Sequence, residues 1–348
     1  MRLISAYRER FPWCPRTTEG TGMAQRRHRL AAVILVLLLP SCGTATRPAG
    51  TTADGAVAGF PVTVTNCGIT TTYHRPPRRA VALNQHSVET MLALGLEKSM
   101  VGTAFLDDQV LPEYRDAYEA IPVIAEEYPS YETLLTAEPD FVYGGWASAF
   151  DEKEGRGRER LRDVGIDTHL NIENCSAEPM TLSGVDDEIR TVGEIFGARD
   201  RADREVERQR RILQETRHRV RDVVPVDIAV YDSGEATVFT SGGQGIGNQI
   251  IEAAGGRNLF GDVPKVWADV SFEQFAERVP QVILIYDYGD QSVEQKKRFL
   301  LDNPVLQRVP AVRDQRFAVL PLSEITAGVR VGRAVKSPAQ QLYPESTG

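Results

Sequence analysis

The sequence of 348 residues is 42% apolar and 25% charged, a composition typical of a globular chain and not of a disordered one. Its length suits two domains of ordinary size better than one. Residues 1–41 hold seven arginines and two glutamates, a net charge of +5; because the whole chain carries −8, the remainder carries −13. Such an acidic body argues against nucleic acid and anionic membrane surfaces as partners.

The first 41 residues predict an export signal. Three arginines within residues 26–29 precede an unbroken apolar run at 30–39, and a small residue follows shortly after it. This order is typical of a secretory signal, and the apolar run is too short to span a bilayer. Met23 stands where such a signal normally begins, so residues 1–22 are expected to lie upstream of the true start.

Residues 39–42, Leu-Pro-Ser-Cys, resemble a bacterial lipobox, in which the cysteine is lipidated and becomes the mature N-terminus. The resemblance implies an exported protein that touches the outer face of the cytoplasmic membrane only through a lipid on Cys42. An ordinary secretory signal with a chance cysteine is the alternative. Residues 43–59 are rich in Thr, Ala and Gly, so we expect residues 42–61 to form a flexible tether.

Two cysteines remain in the body of the protein after Cys42, since Cys14 lies in the leader. In an exported chain this pair, Cys67 and Cys175, predicts one disulfide that ties the first strand to the end of the first lobe. Two buried free thiols are the alternative. The sequence has no Cys-x-x-Cys motif and no Cys/His cluster, so no metal site is expected.

Strands alternate with helices over residues 62–182, which predicts an N-terminal α/β lobe with a parallel sheet covered on both faces. The predicted elements of this lobe are strands at 62–64, 79–83, 100–102, 141–143 and through 170–172, with helices at 87–94, 131–137 and 155–164.

The pattern changes over residues 183–224, where two helices are predicted at 185–196 and 200–220. The second is charged and about 30 Å long at 1.5 Å per residue, with only a narrow apolar stripe, so we expect it to bridge two domains or lie on a surface. A C-terminal α/β lobe follows over residues 225–340, with strands at 227–231, 282–286 and 316–320 and helices at 248–254 and 272–278.

One segment occurs twice. Ser130-Tyr131-Glu132 is followed by Pro139 and an apolar run, and Ser271-Phe272-Glu273 is followed by Pro280 and an apolar run. A serine cap with a glutamate in the first turn begins a helix, and the proline ends it before a strand. The repeat predicts two similar lobes, each carrying one glutamate in an equivalent position.

Five segments, in this order, resemble the iron-siderophore and cobalamin binding-protein family of ABC importers. The resemblance extends from about residue 62 to residue 335 and is carried by Arg-Ala-Val-Ala-Leu-Asn at 79–84, Glu-Thr-Met-Leu-Ala-Leu-Gly-Leu at 89–96, Glu-Thr-Leu-Leu-Thr-Ala-Glu-Pro-Asp-Phe-Val at 132–142, Ala-Ala-Gly-Gly-Arg-Asn at 253–258 and residues 267–273.

The resemblance implies an α/β fold of two Rossmann-like lobes with parallel-rich sheets, joined by a long helix, with the ligand in the cleft between them. It implies a monomeric substrate-binding lipoprotein that delivers a ferric siderophore or similar metal chelate to a permease and its ATPase, with no enzymatic activity and no cofactor. Cobalamin, heme and a deazaflavin cofactor precursor are alternative ligands. A secreted α/β enzyme using the same cleft is the alternative from another class.

In that family the repeated glutamate of each lobe docks onto arginines of the permease, which here implies Glu132 and Glu273. One carboxylate on each lobe allows a two-fold permease to hold both, since Arg–carboxylate pairs are bidentate and directional. The alternative is that both are ordinary first-turn glutamates favoured by the helix dipole.

Ligand contacts are expected from loops at the carboxyl ends of the strands, where aromatic and hydrogen-bonding side chains suit a bulky chelate. Core packing is the alternative for each aromatic residue, and an ordinary hydrogen bond is the alternative for His86 as a metal ligand. Arg330 or Arg333 is expected to pair with an anionic ligand. The expected ligand-binding residues are Asn84, Gln85, His86, Trp146, Ser148, Tyr231, Trp267, Tyr286, Tyr288 and Arg330.

The glycine-rich segment at residues 242–247 lacks the glycine spacing of a dinucleotide site. We expect it to form a turn before a helix, where backbone N–H groups are able to hold an anion.

Overall fold

The computed structural model describes residues 57–175 and 178–345. The export signal, Cys42 and the tether as far as residue 56 lie outside the described residues. Within the two described ranges, no helix combines the length and the apolar character that a membrane span requires.

The N-terminal lobe is built on a parallel sheet of five strands in the order β5-β4-β3-β6-β7. The central strands β3 and β6 are buried along their whole length because helices cover both faces of the sheet. An antiparallel hairpin, β1–β2, precedes the sheet. The strands are β1 (Val62–Asn66), β2 (Ile69–Tyr73), β3 (Ala80–Leu83), β4 (Met100–Ala104), β5 (Val123–Ala125), β6 (Phe141–Gly144) and β7 (Asp167–Leu170).

Four helices cover this sheet and two more continue the chain beyond it. They are α1 (Gln85–Ala93), α2 (Arg115–Glu119), α3 (Tyr131–Thr136), α4 (Arg158–Asp163), α5 (Leu182–Ile195) and α6 (Arg199–Val220). A short 3-10 turn, Ile172–Asn174, follows β7 and faces the second lobe.

The C-terminal lobe has a parallel sheet in the order β10-β8-β12-β13 and an antiparallel ribbon of β9 and β11. Its elements are β8 (Val226–Tyr231), β9 (Val238–Ser241), α7 (Ile246–Ala253), β10 (Gly256–Asn258), β11 (Trp267–Val270), α8 (Phe272–Glu277), β12 (Val282–Asp287), α9 (Val293–Asp302), α10 (Pro310–Arg313), β13 (Phe317–Pro321) and α11 (Val331–Leu342). The predicted fold class, two α/β lobes with parallel-rich sheets, is confirmed.

The repeated segment forms the same unit in both lobes. The hydroxyl of Ser130 accepts a hydrogen bond from the Thr133 amide at 3.1 Å, and that of Ser271 accepts one from the Gln274 amide at 3.1 Å. These caps begin α3 and α8, which have six residues each and lead into β6 and β12. The two repeated glutamates therefore lie in the first turns of equivalent helices, and both are exposed.

The 22-residue helix α6 connects the lobes, as its narrow apolar stripe predicts. It packs against α5 of the N-terminal half and against α11 of the C-terminal half. Its buried residues include Ala202, Val206 and Leu213, and they join one continuous core that contains Phe141 of the first sheet and Leu284 of the second. The lobes therefore share a hydrophobic base, while their loops meet above it.

A disulfide joins Cys67, in the turn between β1 and β2, to Cys175, just after the 3-10 turn. Beside it, the Asn66 side chain accepts a hydrogen bond from the Leu170 amide and donates one to the Leu170 carbonyl oxygen, both at 2.8 Å. The hairpin is thus held to the carboxyl end of β7, at the base of the segment that reaches towards the second lobe.

The shared core supplies a test of the fold. Ile189 of α5 is fully buried, so we expect Ile189→Ala to lower the free energy of unfolding by about 2–5 kcal/mol through lost burial and the cavity left behind. Val224 is 84% exposed, and Val224→Ala should change stability by less than about 0.5 kcal/mol. Urea denaturation of both variants measures the difference; equal losses would contradict the continuous core.

Candidate functional site

The carboxyl ends of the two parallel sheets face each other, and hydrogen bonds cross between them. The Asn171 side-chain amide, after β7, donates to the Ala327 carbonyl oxygen at 2.8 Å. The Met180 amide donates to the Gln244 carbonyl oxygen at 2.8 Å. Ligands of open α/β sheets bind outside the carboxyl ends of the strands, so this interlobe cleft is the candidate site.

A buried ion pair fixes one side of the cleft. The Arg330 guanidinium, at the start of α11, donates to both carboxylate oxygens of Glu89 in α1 at 2.6 Å. It also donates to the Ser323 hydroxyl at 2.8 Å and to the Gln109 carbonyl oxygen at 2.7 Å. The side chains of Arg330 and Glu89 are only 5% and 1% exposed.

The partners of Arg330 correct an expectation. The sequence suggested that Arg330 or Arg333 pairs with an anionic ligand, but Glu89 already occupies the Arg330 guanidinium from the opposite lobe. Arg330 therefore links the lobes instead. Arg333 lies on the following turn with an exposed side chain, and its Nε donates to Glu324 at 2.6 Å.

Gln85 belongs to the same network and is fully buried. Its side-chain amide donates to Glu89 at 3.1 Å, and its oxygen accepts a hydrogen bond from the Asp108 amide at 3.2 Å. Gln85 therefore supports the ion pair and does not line the cleft.

Asn84 ties together the loops that follow β3 and β6. Its backbone has φ +80°, an uncommon value for a residue other than glycine and one often found at functional sites. Its side-chain oxygen accepts hydrogen bonds from the Trp146 amide at 3.3 Å and from the Tyr128 hydroxyl at 3.1 Å. Asn84 thus holds Trp146 and Tyr128 in place at the edge of the sheet.

His86 is buried between the lobes and is 2% exposed. Its ring meets Trp146 edge-on with centroids 5.0 Å apart, and burial lowers its pKa to about 4, so the ring is neutral at physiological pH. A Cβ on Gly145 would lie 2.5 Å from the ring, and one on Gly328 would lie 3.0 Å from the His86 Cβ. Both glycines are needed for this close packing.

Two aromatic residues that the sequence did not single out lie at the rim of the cleft. Phe105, directly after β4, and Tyr128, shortly after β5, are partly exposed and meet edge-on with centroids 4.6 Å apart. The Tyr128 hydroxyl also hydrogen-bonds the Ser148 hydroxyl at 2.9 Å. Both residues follow strands at the carboxyl edge of the sheet, as Asn84 and Trp146 do. The expectation that such residues contact the ligand therefore applies to them as well.

Most aromatic candidates of the C-terminal lobe are packed into its core. Tyr231 and Tyr286 are almost fully buried and Trp267 is 8% exposed; Trp267 stacks on Phe239 with centroids 5.5 Å apart. Tyr288 differs because its ring is partly exposed, while its hydroxyl donates to the Asp232 carboxylate at 2.6 Å. Among these four, Tyr288 is best placed to touch a ligand.

Residues 242–245 form a turn before α7, as expected, residues 246–247 begin the helix, and the anion held there belongs to the protein. The Ile246 amide donates to the Glu173 carboxylate of the opposite lobe at 2.8 Å. Burial raises the Glu173 pKa to about 7, although the amides of Ile246 and Ala327 lower it. Sequence reasoning missed Glu173 because nothing in its local sequence indicates a partner 73 positions away.

Two α/β lobes on a shared base, with loops that face each other across a cleft, define a two-lobe binding protein. The family model for periplasmic binding proteins matches residues 81–323, more than half of the chain, and the chain therefore belongs to this family. In the described part of the chain, no group of three or more His, Cys, Asp or Glu side chains is arranged to hold a metal ion.

Three proteins show the similarity in detail. The chain is 22% identical to the uncharacterized ABC transporter substrate-binding lipoprotein YvrC of Bacillus subtilis, over 93% of this chain and 99% of that protein. A periplasmic binding protein from Veillonella parvula superposes with a TM-score of 0.75 at 30% identity, over 81% of this chain and 97% of that one. The structure of an ABC-type Fe3+-hydroxamate transport system from Saccharomonospora viridis superposes with a TM-score of 0.70 at 26% identity, over 81% of this chain and 99% of that one.

The ion pair supplies a test of the cleft. We expect Glu89→Ala to lower the free energy of unfolding by about 3–5 kcal/mol, because it leaves the Arg330 guanidinium buried and unpaired. The double change Glu89→Leu with Arg330→Met removes both charges and should cost less. Arg190→Ala, which breaks the more exposed pair with Asp203, is the control and should cost much less. Denaturant unfolding measures all three; a double variant as unstable as Glu89→Ala would contradict this account.

Proposed function

We propose that this protein is the extracytoplasmic substrate-binding lipoprotein of an ABC importer and that it captures a ferric siderophore or a similar metal chelate. The observation that carries the proposal is the cleft between the facing carboxyl edges. Phe105 and Tyr128 at one edge and Tyr288 at the other are partly exposed. The Tyr128 ring meets that of Phe105, and its hydroxyl hydrogen-bonds the Ser148 hydroxyl at 2.9 Å. Broad aromatic surfaces with a few hydrogen-bonding groups suit a bulky, largely organic ligand.

The similarity to the Fe3+-hydroxamate transport protein of Saccharomonospora viridis supports a ferric chelate as the ligand. Cobalamin, heme and a deazaflavin precursor are the alternative ligands within the same class. The family consists of substrate-binding proteins, so the secreted α/β enzyme is the less favoured alternative.

Ligand titration tests the proposal. Trp146 packs against His86 between the lobes, and Trp267 is packed in the core of the C-terminal lobe, so tryptophan fluorescence reports on a change in either lobe. We expect saturable quenching by ferric trihydroxamates and weaker responses to cobalamin and heme. Trp146→Phe and Trp267→Phe, each leaving one reporter, identify the lobe that responds. Chemical turnover of any probe would contradict the proposed binding function. Tighter binding of cobalamin or heme than of the ferric trihydroxamates would contradict the proposed ligand.

We propose that Glu132 and Glu273 dock the two lobes onto a permease that works with its ATPase. Their exposure and their equivalent positions in α3 and α8 support this role, because a two-fold partner is able to grip one carboxylate on each lobe. We also propose that the protein acts as a monomer, held at the outer face of the cytoplasmic membrane by a lipid on Cys42 and a tether of residues 42–61. The lipoprotein relative from Bacillus subtilis supports the anchor.

Glutamate substitutions separate docking from ligand capture. Loss of one partner of an interfacial Arg–carboxylate pair costs about 2–5 kcal/mol, so Glu132→Ala and Glu273→Ala should each impair uptake and the double variant should nearly abolish it. Ligand affinity of the isolated protein should stay unchanged. Glu138→Ala and Glu277→Ala, exposed acids close to the same helices, are the controls. The measurements are uptake of labelled ligand and equilibrium ligand binding by the isolated protein. Normal uptake by the double variant would show that the two glutamates only stabilise the starts of their helices.

A further inference from the structure

The buried cations and the carboxylates around the cleft differ in how completely protein groups pair with them. Two buried cations near it, Arg330 and Lys296, both have protein partners. Glu89 holds Arg330, and the Lys296 ammonium donates to the Tyr286 carbonyl oxygen while lying 4.4 Å from the centre of the Tyr288 ring. Neither cation is left to receive an anionic ligand.

Two carboxylates at the facing edges each have one oxygen without a hydrogen-bond donor. Asp232 follows β8 and is fully buried; its Oδ2 accepts hydrogen bonds from Tyr288 at 2.6 Å and from Ser233 at 3.0 Å, while its Oδ1 has no partner. Glu173 of the opposite lobe accepts a hydrogen bond from the Ile246 amide on Oε1, and the Ala327 amide also favours its ionised form. Its Oε2 is shielded from solvent and has no donor within hydrogen-bonding distance. A buried carboxylate oxygen without a donor costs free energy until a donor arrives.

The two carboxylates lie on either side of Tyr286. Asp232 follows Tyr231, which pairs with Ile285 between β8 and β12. Glu173 binds the amide of Ile246, next to Gly247, where a Cβ would lie 2.9 Å from the Tyr286 hydroxyl. Burial raises the pKa of the Tyr286 hydroxyl, and the negative charges of both Asp232 and Glu173 raise it further, while Ser241 lowers it. When Asp232 and Glu173 are both ionised, they and the nearby Lys296 together carry one more negative charge than positive. A ligand group with one positive charge and N–H donors balances this charge and fills the two oxygens.

We propose that Asp232 and Glu173 form a cation subsite in the cleft, which binds a protonated amine or guanidinium group of the ligand. The ligand is then a chelate that carries a pendant organic cation and not a polyanion. This inference rests on the proposed function for the identity of the chelate, but not for the subsite itself. Tyr288 covers the Asp232 carboxylate, so its side chain must move when the ligand enters.

A simple organic cation tests the subsite without any chelate. We expect n-butylammonium chloride to raise the Tm of the wild-type protein by about 2 °C more than sodium chloride at the same concentration, by binding to the folded state alone. Asp232→Asn and Glu173→Gln keep the shape of each side chain and should lose this difference. Asp290→Asn, an exposed acid at the same edge, should keep it. Equal shifts from both salts, or a difference that persists in Asp232→Asn, would overturn the subsite.

Magnesium chloride tests whether the subsite binds a metal ion instead. A Tm shift from magnesium chloride alone would also overturn the proposal.

Matched chelates then test the ligand class. Ferrioxamine B carries a pendant protonated amine, and its N-acetyl derivative has the same chelating groups without that charge. We expect the wild-type protein to bind the amine form at least about tenfold more tightly, and Asp232→Asn and Glu173→Gln to bind the two forms with nearly equal affinity. Equal wild-type affinities would overturn the inference. If neither chelate binds, the proposed function fails, whereas the butylammonium result still decides the subsite.

The pH dependence gives a second readout. Burial raises the pKa of Asp232 to about 6, although Tyr288, Lys296 and Ser233 lower it, and burial raises that of Glu173 to about 7. Below these values the carboxyls are neutral and hold a cation poorly. Affinity for the amine chelate should therefore rise between about pH 5 and pH 8, while that for the acetylated chelate stays nearly constant. Parallel profiles for the two chelates would contradict the proposed role of both carboxylates.

Discussion

The relative placement of the lobes depends on a buried arginine of one lobe and a buried glutamate of the other. Removing both charges from water is unfavourable, and the cost is offset only when the charged groups are fully hydrogen-bonded. Arg330 meets this condition, since its guanidinium reaches both oxygens of Glu89, the Ser323 hydroxyl and the Gln109 carbonyl. The planar guanidinium donates hydrogen bonds only in fixed directions, so the contact sets the orientation of the lobes as well as the distance between them.

Below this contact the lobes share an apolar base, and above it they meet through polar loops. Helix α6 contributes buried residues to a core that runs through both sheets, which makes the base common to the two lobes. The loops above it add interlobe hydrogen bonds, such as those of Asn171 and Glu173. Binding chemistry belongs in this upper region, because groups there have partners that a ligand is able to replace.

Much of the architecture was predictable because it depends on local pattern. Alternating apolar runs and capped helices located most strands of both sheets, and the repeated serine caps located α3 and α8. Helix α9 was missed because its charged residues hide the apolar stripe, although Ser292 and Gln295 form a capping box at its start. Helix α11 was missed because Pro338, in its interior, is a residue that usually ends a helix. The ribbon of β9 and β11 was missed because its two strands are short and far apart in sequence.

The sequence by itself determined the family, the α/β class, the paired lobes and the strand ends near which ligand contacts were expected. Only the tertiary structure decided what each candidate side chain does. Arg330 binds Glu89 across 241 positions, His86 is buried against Trp146, and Tyr286 lies in the core while Tyr288 reaches the cleft. Residue type and local spacing determine secondary structure, but burial and charge pairing depend on which distant segments the packed lobes bring together.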